Sequence, residues 1–274
     1  MANIAGYPSA VISGSPGKSG RINMANIAGY PSAVISGTPG KSGRIQGFEI
    51  TSPLELTNII GWWDAGQGIT LNGSDVSDWA DQSVNANNLA QTTGSKQPLF
   101  VDPGGVPPLV RFDKATSESM LTSGFAGGPL LQPNTVMIVC KKNSGSDGST
   151  LTDGIAPGTT RNAILDLSGD FGIFAGDILS SLKPIDQVKR IIVAIFDMTV
   201  SAMYFDGGAA EIVGNASGAN WNGLTLCSRF SDTGFADYDV WEITAYNKRL
   251  SVNELNQLGR FLANKHSLTW TTIP

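Results

Sequence analysis

The sequence predicts an all-β protein: an antiparallel β-sandwich with one C-terminal helix, preceded by an extended N-terminal arm. Three observations predict it. Among 274 residues there are 33 glycines and 14 prolines, yet 41% are hydrophobic, a mixture that suits many short strands and tight turns. Apolar and polar residues alternate in Asn162–Leu167, Ser201–Phe205 and Val240–Tyr246, the period of a strand with one buried face. Charged residues make up 15%, well under the roughly 25% of an average globular protein, which argues against a coiled coil or a mainly disordered chain.

The arm comes first. Residues 1–23, MANIAGYPSAVISGSPGKSGRIN, and 24–46, MANIAGYPSAVISGTPGKSGRIQ, differ only at Ser15/Thr38 and Asn23/Gln46. Two copies are too few for a solenoid, which needs three or more repeats to bury a continuous core. Each copy holds one short apolar stretch, Ser9–Ile12 or Ser32–Ile35, too little to fold alone. Residues 1–47 therefore read as an extended arm and 48–274 as the folded domain. The arm carries four basic side chains and no acidic one, leaving 14 basic and 23 acidic groups, a balance of −9, on the remainder. A cationic arm on an anionic body predicts docking on an acidic surface. The contacts expected are Tyr7, Val11, Ile12, Lys18 and Arg21 in the first copy, with Tyr30, Val34, Ile35, Lys41 and Arg44 in the second. Two docking peptides in tandem raise avidity through effective concentration. The bland alternative is a recent duplication or a second start at Met24.

Val11–Ser19 and Val34–Ser42 imitate a strand entering a phosphate loop. Ile12 and Ile35 stand where that loop needs its first glycine, so nucleotide binding is not expected. With a pI near 4.9 the body would repel phosphate backbones, so no nucleic-acid partner is expected. The longest apolar run, Ile191–Phe196, is too short to cross a bilayer, and the N-terminus shows no basic segment followed by an apolar one. Neither a membrane span nor a secretory signal is expected.

Strands are predicted at Ile59–Ala65, Val76–Ala80, Leu109–Phe112, Thr135–Lys141, Asn162–Leu167, Val188–Phe196, Ser201–Phe205, Leu224–Arg229 and Asp239–Asn247. Asp206-Gly207-Gly208 reads as a hairpin turn leading into Ala209–Val213. The helix is predicted by Ser251 with Glu254 three residues later, a capping box, followed by Leu255, Leu258, Phe261 and Leu262 at helical spacing.

Trp62-Trp63-Asp64-Ala65, Val76-Ser77-Asp78-Trp79-Ala80-Asp81-Gln82-Ser83 and Pro108-Leu109-Val110-Arg111-Phe112-Asp113 occur in that order. Tyr204-Phe205-Asp206-Gly207 and Glu242-Ile243-Thr244-Ala245-Tyr246 follow. Together they resemble a concanavalin A-like, laminin-G-like jelly-roll domain over roughly residues 59–270. The resemblance implies a jelly-roll sandwich of the kind found in virion structural proteins and glycan-binding modules.

Glycanases of similar fold set two or three carboxylates along one strand; the nearest pattern here is Asp237-Tyr-Asp239-Val-Trp-Glu242. Without a bulge Glu242 would face away from Asp237 and Asp239, and with a single histidine the chain has little for His-based catalysis, so no enzyme is expected. Asp64, Asp81 and Asp113 are a candidate rim Ca²⁺ site, against a reading as turn caps; otherwise no cofactor is expected. Trp221, flanked by Asn220 and Asn222 in a polar loop, is the candidate sugar-stacking ring, against a reading as a plug at the sandwich end. Cys140 and Cys227 read as buried small hydrophobes, and His266 as a helix-end charge. The expectation is a virion structural protein: a head decoration, head fibre or tail-associated subunit. It would dock through the arm on a capsid or tail protein of the same particle and form a homo-oligomer. The alternative is an adhesin that recognises surface glycans.

Overall fold

A computed structural model describes residues 49–145, 147–156, 160–167 and 169–274, together with the backbone of 22–23 and 34–35. The chain divides into a unit of residues 1–48 and a unit Glu49–Pro274. In the first, β1 (Ile22–Asn23) pairs antiparallel with β2 (Val34–Ile35), setting Ile22 opposite Ile35. The docking contacts expected at Tyr7, Val11, Ile12, Lys18, Arg21, Tyr30, Lys41 and Arg44, and the side chains of Val34 and Ile35, lie outside the described residues. So do the other residues of the two phosphate-loop imitations.

Glu49–Pro274 is built from antiparallel strands. In chain order they begin with β3 (Ile59–Asp64), β4 (Ile69–Asn72), β5 (Asp75–Trp79), β6 (Leu89–Ala90), β7 (Leu99–Val101), β8 (Leu109–Phe112) and β9 (Met120–Leu121). Then come β10 (Asn134–Lys142), β11 (Thr150–Asp153), β12 (Ala163–Asp166), β13 (Asp170–Phe174), β14 (Ile178–Pro184) and β15 (Arg190–Phe196). Last are β16 (Ser201–Phe205), β17 (Ile212–Gly214), β18 (Thr225–Leu226) and β19 (Tyr238–Tyr246), ahead of the helix α1 (Val252–His266). No helix among the described residues is long and apolar enough to cross a membrane.

One layer runs β17–β16–β15–β10–β19–β3. The other runs β14–β13–β12–β11–β18–β9–β6–β5. They join where the first half of β19 pairs with β8, and β8 with β7, which reaches β5. Between the layers lies the main core, holding Val136, Ile138, Ile192, Ala194, Val240 and Ile243 with Trp63, Trp79, Leu89, Met120, Leu226 and Ile173.

The central strands are apolar on both faces because α1 covers the second one. Met137, Val139, Ile191, Val193 and Ile195 pack with Leu255, Leu258 and Leu262. That is why Ile191–Phe196 reads as an unbroken apolar run. The predicted capping box is present: the Ser251 hydroxyl accepts from the Glu254 N–H, and the Glu254 carboxylate accepts from the Ser251 N–H.

The turn after β16 is wider than Asp206-Gly207-Gly208 predicts. Asp206, Gly207 and Gly208 all have positive φ, and β17 starts only at Ile212. The C-terminal segment occupies this turn: the Thr271 N–H donates to the Asp206 carbonyl and the Gly208 N–H to the Thr271 carbonyl, both at 2.8 Å.

Candidate functional site

The carboxylates at 237–242 are brought to one face after all. Val139 pairs with Glu242 but Cys140 pairs with Val240, so Trp241 is an extra residue in a β-bulge. The bulge turns Glu242 to the same side as Trp241, towards α1. Each carboxylate is nevertheless committed. Arg111 donates twice to Asp239, at 2.7 and 2.9 Å, and the Asn143 amide donates at 2.8 Å. Asp237 accepts the Lys114 N–H at 2.7 Å. Fully buried Glu242 accepts from the Trp62 indole and from Lys265 at 2.7 Å, and lies 2.7 Å from His266 Nε2. Lys265 also reaches Asp64 at 2.7 Å, so this cluster ties the end of α1 to β3 and β19. His266 is therefore more than a helix-end charge. It is a buried partner of Glu242, which its position after the last apolar helical residue does not reveal.

The other expected site residues are dispersed. Trp221 is fully buried, edge-on to Phe125 with centroids 4.8 Å apart, so no ring face is free to stack on a sugar. It plugs the sandwich. The Asn222 side-chain oxygen accepts the Ile155 N–H at 3.1 Å, and Asn220 sits beside the buried ring. The three aspartates of the candidate Ca²⁺ site do not converge: among the described residues no such group could hold a metal ion. Asp64 serves Lys265 and the Gly66 N–H, Asp81 accepts the N–H groups of Trp62, Ser83 and Asn87, and Asp113 caps a short turn at Ala115. Cys140 and Cys227 are buried free thiols, pushed up by burial.

A cavity of about 150 Å³ opens instead on the face of the second layer turned away from the core. Thr225 on β18 and its cross-strand partner Leu121 on β9 form its floor. Gln91 and Thr93 follow β6, and Lys96 ends the short 3-10 turn Gly94–Lys96. Arg229, Phe230 and Asp232 come from the loop after β18 and form the far wall.

The walls are fixed by internal bonds. The Gln91 amide donates to the Ser119 carbonyl at 2.8 Å and its oxygen accepts the Thr93 N–H at 3.0 Å. Lys96 pairs with Asp232. The Thr225 hydroxyl donates to the Gly154 carbonyl at 2.9 Å. Beside Phe230, Arg161 grips buried Asp153 through three hydrogen bonds, at 2.8, 3.2 and 2.7 Å, and its guanidinium lies 4.7 Å from the Phe230 ring centre. Arg229 is exposed, and no carboxylate among the described residues pairs with it. One carboxylate and two cations line the cavity, a local excess of positive charge on a body whose balance is −9.

No family model matches the chain, and neither does any curated protein. Solved structures do resemble it. The botulinum neurotoxin serotype G binding domain superposes with a TM-score of 0.55 at 9% identity, over 75% of this chain and 51% of that one. The botulinum neurotoxin serotype D ligand-binding domain, solved in complex with N-acetylneuraminic acid, gives 0.53 at 10%, over 74% and 50%. An arabinofuranosidase complexed with arabinofuranosyl-α-1,2-xylobiose gives 0.52 at 12%, over 70% and 51%. The chain thus spans about half the length of these solved chains, and at such identities the likeness is one of fold. It corrects one expectation. Composition pointed away from enzymes, but enzymes are among the proteins that share this fold, so that exclusion does not stand.

Proposed function

We propose that Glu49–Pro274 is a glycan-binding domain of the laminin-G-like type, taking one acidic sugar residue in the cavity between Gln91 and Asp232. The observation that carries this reading is the pairing of an unneutralised Arg229 with Phe230 at the mouth of a preorganised polar recess. A sugar presents apolar C–H faces and many hydroxyls. Phe230 offers apolar surface, while the Thr93 hydroxyl and the Asp232 carboxylate offer hydrogen bonds. A carboxylate on the sugar matches the Arg229 fork. The volume lies well below the roughly 300–1,000 Å³ of drug-sized pockets, so one ring enters while the rest of the chain stays outside. The sugar ligands carried by two of the structural neighbours are consistent with this reading.

A glycan array tests it. The wild type should retain glycans ending in a carboxylated sugar, and Arg229→Ala should lose them while remaining folded. Retention of the same glycans by Arg229→Ala would remove the cavity from the account.

The duplicated leader favours a second, compatible role. Two near-identical copies with four basic and no acidic side chains suit a tandem anchor on an acidic assembly, such as the capsid or tail protein of a virion. Deleting residues 1–46 should leave glycan binding intact and abolish incorporation into the assembly. Incorporation of the shortened chain would contradict the anchoring role.

A further inference from the structure

At the opposite end of β10 from Asn134, Lys142 is a lysine with no exposed side-chain surface. It points into the core side of its layer, two residues beyond core Cys140 and opposite core Tyr238. Its ammonium lies 2.9 Å from an Asp147 oxygen, 3.4 Å from an Asp166 oxygen, and donates to the Ser149 hydroxyl at 2.9 Å. The Asp166 side chain is fully buried, and the Asp147 N–H donates to it at 3.0 Å. The Tyr238 ring stands 4.9 Å from the ammonium, and its buried hydroxyl has no hydrogen-bond partner among the described residues. An amine and two carboxylates are thus held in contact, with Lys142 and Asp166 buried and Asp147 at the solvent side.

We infer that Lys142 and Asp166 are the two ends of a self-formed amide cross-link, with Asp147 as its proton carrier. This lies outside the glycan-binding reading and does not depend on it. The chemistry needs no co-reactant. One proton passes from the Lys142 ammonium to the Asp166 carboxylate 3.4 Å away, leaving a neutral amine beside a carboxylic acid. The amine nitrogen attacks the Asp166 carboxyl carbon and forms the C–N bond. Asp147 takes a second proton from that nitrogen and delivers it to the departing hydroxyl, which leaves as water. The products are one amide and one water, and no electrons are exchanged.

The two carboxylates differ in depth and in access to solvent. Burial pushes the Asp147 carboxyl up, but hydrogen bonds from Lys114, Ser149 and Lys142 outweigh it and hold the group well below the usual carboxylate range. Asp147 also touches Lys114, whose side chain is substantially exposed, and so connects the chamber to solvent. Asp166 sits deeper, with the same lack of exposure as Lys142. Because Lys142 belongs to one layer of the sandwich and Asp166 to the other, the amide would staple the two layers together.

Mass analysis of the purified full-length chain tests this. The account expects a mass lower by one water molecule than that of the matching uncross-linked chain. In a tryptic digest, acylated Lys142 is no longer a cleavage site, so peptide 142–161 should appear joined to peptide 162–189. Lys142→Arg, which keeps the charge, should lose both signals. A wild-type chain of unreduced mass with no joined peptide overturns the inference whether or not the variant folds. So does a bond found on Asp147 instead of Asp166.

Discussion

Two side-chain sites show how narrowly the interior is specified. A Cβ placed on Gly207 would stand 1.8 Å from the Thr271 carbonyl oxygen, at a φ of +83° that other residues rarely adopt. Gly207→Ala should therefore lift the C-terminal segment off the turn, seen as a lower unfolding midpoint and faster amide exchange at Thr271. The second site is Glu242, a buried carboxylate satisfied by Trp62, Lys265 and His266 together. Trp62→Phe removes one donor while keeping most of the ring, and should cost about 1–3 kcal/mol in denaturant unfolding, the penalty of under-satisfying a buried charged group. A cost near zero would mean that water replaces the indole N–H. Neither constraint was legible beforehand. Gly207 looked like an ordinary hairpin glycine, because nothing in residues 201–213 shows that the chain end returns to them. Glu242 reads in sequence as the last of three carboxylates in a glycanase-like pattern, because the β-bulge that commits it depends on pairing with β10.

Among the elements, α1 was the most legible, since a capping box and helical spacing are local signals. Ser251→Ala should cost about 1 kcal/mol. The Glu254 carboxyl is pushed up by burial, but hydrogen bonds from Lys248 and Ser251 outweigh this and hold it below its ordinary value. Its contribution is therefore present above that ordinary value, about 4.3, and is lost as pH falls through the lowered one. Glu254→Gln should be destabilising at pH 7 and indistinguishable from wild type in strong acid; a penalty unchanged by acid would contradict this. Strands with a buried apolar signature were legible too: β8 and β16 match their predicted bounds, and β10, β15 and β19 differ at the ends. Others were not. β6 and β9 are two residues long and recognisable only through their neighbours, β18 is only two residues of the predicted Leu224–Arg229, β4 is largely exposed, and β13 carries Gly172 in its middle. A Cβ at Gly172 would displace the end of the Leu167 side chain and stand 3.1 Å from the Leu179 carbonyl oxygen.

Across the whole molecule, the two-layer sandwich could be read from composition and alternation, but its cavity could not. The lining comes from segments near residues 91–96, 119–121, 155 and 225–232, which become neighbours only because β6, β9, β18 and β11 lie side by side. The local hint was Ser228-Arg-Phe-Ser-Asp-Thr-Gly234, a polar loop carrying a cation beside an aromatic ring. Trp221 drew attention as the larger ring in an equally polar loop, yet the core claimed it, since burying so much apolar surface outweighs leaving it wet. The central claim is that a carboxylated sugar sits against Arg229 and Phe230. Amide chemical-shift mapping of the labelled full-length chain, titrated with such a sugar, tests it most directly. The account predicts saturable shifts at Thr93, Ser119, Ser228 and Phe230, with α1 unmoved; shifts confined to other surfaces, or none at saturating sugar, would contradict it.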